Sequence, residues 1–280
     1  MARIVCVHGV GQQYSGEQTQ LSSWFAPLND GLARAGAAPL VAADVSCAFY
    51  GDLFRPPGRR LAPTDPPLGS DDLDPFEAEL LMLWWAEAAR VDSAVVPPSA
   101  RTLAGTPRVL QRALDALSRS KFFSGLAMRA LVADLRQVRL YLCDPQIRAA
   151  VQARFAAAVT AETRVVVAHS LGSVVAYEGL AAHPEWAVRT LLTLGSPLGI
   201  ANLVLDRLQP GGGAWPGSVT TWTNIVDQGD VVALVKDLRP GFGPSVAGFA
   251  VDNGSHAHEA ARYLTTPEAG RAVADGLAGH

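Results

Sequence analysis

Apolar positions along the chain switch between short continuous runs and a spacing of three and four residues. Residues 3–7 (RIVCV) form a short apolar run that ends at His8-Gly9, and residues 41–50 form a second β-rich stretch that ends at Gly51. Both predict buried strands. Between them Leu21, Trp24, Phe25, Leu28 and Leu32 fall on one face of a helix over 17–35. From Asp74 to about Glu162 the chain turns rich in Ala, Leu and Arg. Helical spacing there predicts helices over 76–90, 109–118, 124–142 and 145–161, with Pro97-Pro98 and Pro107 as breaks. Alternation then returns, with strands over 164–168, 190–194, 219–226 and 245–251 and helices over 171–183, 258–264 and 267–277. Strands that alternate with helices and are apolar nearly throughout predict an α/β fold whose mostly parallel sheet is covered on both faces.

Two segments depart from this rhythm. Five prolines between 55 and 67 remove amide donors and predict an irregular excursion. The helix carrying Leu80, Leu81, Met82, Leu83, Trp84 and Trp85 is apolar nearly all round, so it is either core or a lid over something apolar. Residues 52–162 therefore read as one insertion within a single 1–280 domain.

Composition narrows the classes. The 280 residues are 49% hydrophobic and 18% charged with a net charge of -3, the balance of a globular chain, and they offer no basic footprint for nucleic acid. Mean hydropathy is slightly positive at +0.16, yet no run approaches the ~20 apolar residues of a membrane span. The first residues carry no basic leader, which predicts a cytoplasmic protein. Cys6, Cys47 and Cys143 are widely spaced in apolar surroundings and predict buried, reduced thiols. Gly211–Gly213 lacks the Lys-Ser/Thr of a phosphate loop and reads as a connection.

The chemistry centres on Ala168-His169-Ser170-Leu171-Gly172. It stands between a predicted strand and a predicted helix, the setting of a nucleophile elbow, where small flanking residues permit a tight turn. The turn also puts Ser170 at a helix N-terminus, where backbone amides favour developing negative charge. Serine needs a base to take its proton, and imidazole suits neutral pH. His256 and His258, in a turn after the last strand, are the downstream candidates; as a His-x-His pair they could also bind metal, but no acidic or cysteine cluster accompanies them. A carboxylate must orient the imidazole, and Asp227 and Asp230 both follow the 219–226 strand.

The chain resembles the α/β-hydrolase superfamily, in particular small bacterial lipase- and esterase-like members with Ala-His-Ser-x-Gly elbows. The resemblance rests on Val7-His8-Gly9-Val10-Gly11 after the first strand, the Ser170 elbow, a later acid and a late histidine, with Leu194-Gly195-Ser196-Pro197-Leu198 similar to a lipase segment. It implies a sheet of about six strands in the order 2-1-3-4-5-6, with 52–162 as a helical cap. It also implies an oxyanion hole made by the amides of Val10 and Leu171. The spacing from His258 to Tyr263 and the run Gly229-Asp230-Val231-Val232 resemble family segments, which favours His258 over His256 and Asp230 over Asp227. The implied activity is hydrolysis of an acyl ester or thioester through Ser170, His258 and Asp230. The substrate would be a small-molecule or lipid-like acyl compound, and no cofactor or metal is implied. An acyltransferase or cyclase using the same acyl-enzyme, or a noncatalytic binding protein on this fold, are the alternatives.

Overall fold

A computed structural model describes residues 2–55, 70–98, 106–122, 128–211 and 213–279. Among them six strands form one sheet: β1 (Ile4–Val7), β2 (Val45–Ala48), β3 (Val165–His169), β4 (Thr190–Leu194), β5 (Thr221–Asp227) and β6 (Ala247–Val251). Their order is β2-β1-β3-β4-β5-β6 and every pairing is parallel. The sequence predicts this α/β architecture and this order.

The sheet is flanked by α1 (Glu17–Arg34), α2 (Pro75–Val91), α3 (Pro107–Arg119), α4 (Met128–Cys143), α5 (Pro145–Ala158), α6 (Leu171–Ala182), α7 (Arg239–Phe242), α8 (Ala260–Leu264) and α9 (Pro267–Ala278). Proline opens α2, α3, α5 and α9, where its missing amide costs no helical hydrogen bond. Asp74, Asp144 and Thr266 cap α2, α5 and α9 through side-chain oxygens.

The strands divide their side chains strictly between two cores, as the two-residue period of a strand requires. Ile4, Cys6, Val165, Val167, Leu192 and Leu194 meet α1 and α9 on one face. Val5, Val7, Val166, Ala168 and Leu191 face the other way, toward α5 and α6. That second core continues without a break into α2, α3 and α4, which explains why α2 is apolar nearly all round.

Several boundaries differ from the sequence reading. β2 is four residues long because residues 42–44 make a 3-10 turn, in which the Asp44 carboxylate accepts from the Val41 amide and pairs with Arg3. β5 starts two residues late because the Val219 amide is used in a turn with Pro216. α5 ends at Ala158, where Thr160 and Thr163 bond each other in a turn. β6 is an exposed edge strand, not a covered one. Cys6 and Cys47 are buried free thiols, but Cys143 is exposed at the end of α4, contrary to expectation. The proline-rich excursion after Arg55, the first residues of the 124–142 helix and Gly212 lie outside the described residues. No helix among the described residues is long and apolar enough to cross a membrane.

Candidate active site

Ser170 occupies the turn between β3 and α6 with φ 53° and ψ -128°, a left-handed conformation unusual for a residue with a side chain. Such strain persists only where the surroundings enforce it. Here Gly172 allows the start of α6 to press against the carbonyl oxygens of Val7 and His8, where a Cβ would collide. Ser170 is the N-terminal flanking residue of α6, yet its hydroxyl makes no capping bond to the helix. It faces His258 instead, with Oγ 3.0 Å from Nε2.

The imidazole is fixed from its other side. His258 Nδ1 lies 2.7 Å from Oδ2 of the fully buried Asp230. A carboxylate can only accept, so Nδ1 carries the proton and Nε2 is left to accept from the serine. Asp230 also accepts from Tyr263 OH at 2.7 Å and from the amides of Val232 and Ala233. Burial pushes its carboxyl up, but His258 and these donors outweigh burial and hold it below the usual carboxylate range.

Gly195 makes room for this pair. It lies at φ +54°, and a Cβ there would stand 2.7 Å from Asp230 Oδ2 and 3.1 Å from His258 Nδ1. Lys236 donates to the Asp230 carbonyl and pairs with Glu87 of α2 at 3.4 Å, tying the acid's loop to the inserted helices.

Of the candidates named from sequence, Ser170, His258 and Asp230 come together, and the alternates do not join them. His256 is on the surface, 3.2 Å from Glu259. Asp227, the last residue of β5, directs its carboxylate to the amides of Gly229 and Asn253. Val10 and Leu171 border the space beside Ser170. Among the described residues no group of three or more His, Cys, Asp or Glu is arranged to hold a metal ion.

The histidines beside these residues stay neutral. His8 accepts from the Tyr50 amide through Nε2, so its Nδ1 carries the proton and donates to Gly9 O at 2.7 Å. Burial lowers its pKa to about 4. His169 Nε2 donates to the His258 carbonyl, and burial together with the nearby His258 lowers its pKa to about 3.

Sequence reasoning missed four contributors: Tyr263 as a partner of Asp230, His169 as a support for His258, Gly195 as clearance, and Asp134. Asp134 projects from α4 into the cleft that holds Ser170 and His258. Burial pushes its pKa up to about 7, with His258 pulling the other way. Three residues on, Gln137 donates to Asp134 and accepts from the Gly11 amide, joining α4 to the His8–Gly11 loop.

The fold and geometry define an α/β protein with a serine, a histidine and an aspartate in hydrogen-bonded series at the carboxyl ends of parallel strands, the usual location of ligand sites in such sheets. No family model matches the chain, and no curated protein matches it significantly.

Proposed function

We propose that the protein is a serine hydrolase that cleaves an acyl ester or thioester through an acyl-enzyme on Ser170. The observation that carries this reading is the placement of His258 between Ser170 Oγ at 3.0 Å and Asp230 Oδ2 at 2.7 Å. Both distances are within the reach expected of a nucleophile, a base and the group that orients it. The strained Ser170 turn and the strand order support a place in the α/β-hydrolase superfamily, with α2, α3 and α4 of the 52–162 insertion acting as a cap on one 1–280 domain and its α5 covering the sheet instead.

In the reaction, Ser170 Oγ attacks the acyl carbon while its proton passes to His258 Nε2. The carbonyl oxygen gains charge and is held by the amides of Val10 and Leu171. The bond to the leaving alcohol or thiol breaks, and His258 gives that group its proton. Water then adds to the acyl carbon, yielding its proton to His258. The Ser170 Oγ bond to the acyl carbon breaks, the carboxylic acid departs, and the proton returns to Ser170. Asp230 stays ionised throughout and stabilises the imidazolium.

The test is hydrolysis of p-nitrophenyl acetate by wild type and by Ser170→Ala. Turnover that disappears in the variant supports the reading, and equal turnover in both overturns it.

A further inference from the structure

Ser170 stands between two unlike spaces. On one side is a cavity of about 20 Å³ walled by Leu80, Trp84, Val138, Ile200, Val204 and Val232, an apolar lining supplied by α2, α4 and the loops after β4 and β5. On the other is an open cleft of about 470 Å³ whose wall includes Gln12, Ser15, Thr19, Gln20, Ser23 and Asp134. Both spaces include Val10 and Ser170, so a carbonyl held at Ser170 has one substituent directed to each.

His258 decides which half of the substrate goes where. It borders the polar cleft and not the apolar cavity. Its Nε2 must deliver a proton to the leaving oxygen, so the leaving group lies in the polar cleft and the acyl chain is left with the apolar side. At about 20 Å³ against the 470 Å³ of the cleft, the apolar side is the far smaller space and suits a short acyl group, not a long chain.

The charge of the cleft restricts the leaving group further. Among the described residues its wall contains Asp134 and Glu259 but no Lys or Arg. Among the described wall residues a phosphate or other anion finds no Lys or Arg to pair with, the guanidinium of Arg55 being turned to the Gln13 and Ser15 carbonyls, whereas hydroxyls find amide, hydroxyl and carboxyl partners.

On the serine-hydrolase reading above, we infer that the substrates are short-acyl esters of uncharged, polyhydroxylated alcohols, with the acyl group against Trp84 and the alcohol between Asp134 and the Ser15–Ser23 wall. Trp84 thereby limits acyl length, and the same residue that seals the core of the inserted helices sets specificity.

The experiment measures kcat/KM of the wild-type protein for p-nitrophenyl acetate, butyrate and octanoate, and for glycerol monoacetate against acetylglycerol phosphate. Intact-mass labelling with a fluorophosphonate runs in parallel. The expected result is a fall of at least tenfold from acetate to octanoate and at least a tenfold preference for the uncharged glycerol ester. Ile200→Ala and Trp84→Ala are expected to raise butyrate relative to acetate; the wild-type series decides the matter even where Trp84→Ala fails to fold. Octanoate cleaved as fast as acetate, or the phosphorylated ester cleaved as fast as the neutral one, overturns the inference while Ser170-dependent turnover leaves the hydrolase reading standing. Absence of both labelling and Ser170-dependent turnover overturns the two together.

Discussion

His169 Nε2 donates a hydrogen bond to the carbonyl oxygen of His258 at 2.9 Å, so the residue before the proposed nucleophile holds the backbone of the proposed base. The two rings are also in contact, with centroids 4.6 Å apart. His169→Phe keeps a ring but removes the donor and leaves a part-buried carbonyl unpaired. Because the imidazole of His258 is then held less firmly, kcat is expected to fall roughly tenfold or more with KM little changed, a misplacement effect. His169→Gln, which restores an N–H donor, is expected to recover part of the loss. Steady-state kinetics of the two variants check this, and equal activity of His169→Phe and wild type would contradict it.

Gly195→Ala tests the clearance around Asp230 and His258. A methyl there requires L-residue backbone at φ +54° and meets Asp230 Oδ2 at 2.7 Å. The left-handed conformation alone costs on the order of 1 kcal/mol, and displacement of Asp230 by an ångström is expected to cost about 10²-fold in rate. Thermal melts and ester hydrolysis on the same sample measure both losses.

Paired substitutions separate the neighbouring candidates. Asp230→Asn is expected to lower kcat by roughly 10⁴-fold, because an amide no longer enforces the tautomer in which Nε2 accepts from serine. His258→Ala is expected to remove turnover, while His256→Ala changes it by less than about twofold, since its exposed ring pairs only with Glu259 among the described partners. Asp227→Ala breaks bonds to the Gly229 and Asn253 amides and is expected to lower the melting temperature more than it lowers kcat. Equal loss at His256 and His258 would defeat the assignment.

The legibility of this molecule in its sequence follows from which positions are constrained on their own element. Thr190–Leu194 has both faces buried, so its apolar run marks the strand without help from distant residues. Ser170 is legible because a strand, a small residue, the serine and a glycine adjoin in sequence. Asp134 and Trp84 are different. Helical spacing says which side chains share a face, but it does not say which end of the sheet an inserted helix reaches, so neither residue's place beside Ser170 follows from α2 or α4 alone. Cys143 misleads for a related reason: Leu140–Leu142 before it are apolar, yet it is exposed at the last turn of α4, next to Asp144. Tyr263 and Gly195 act on Asp230 across 33 and 35 residues of chain, and only the packed fold joins them.

Asp134 gives the fold a distinctive pH signature. Its folded pKa, pushed up to about 7 by burial, lies above the ~3.9 of an unfolded aspartate. Between those values the folded state holds more protons than the unfolded state, so this group's contribution to stability falls as pH rises from about 4 to 7 and is lost above 7. Asp134→Asn removes the ionisation. The variant is therefore expected to gain melting temperature relative to wild type at pH 8 and to show a smaller gain at pH 5. A gain of the same size at both pH values would contradict the buried-carboxyl account.

Whether Ser170 is an activated nucleophile is tested most directly by intact-mass labelling with a fluorophosphonate. Only a serine paired with a working base reacts rapidly with such a reagent. The account predicts a single adduct on the wild type, none on Ser170→Ala, and strongly slowed labelling of Asp230→Asn. A folded wild-type protein that acquires no adduct, or one whose adduct persists in Ser170→Ala, would contradict it.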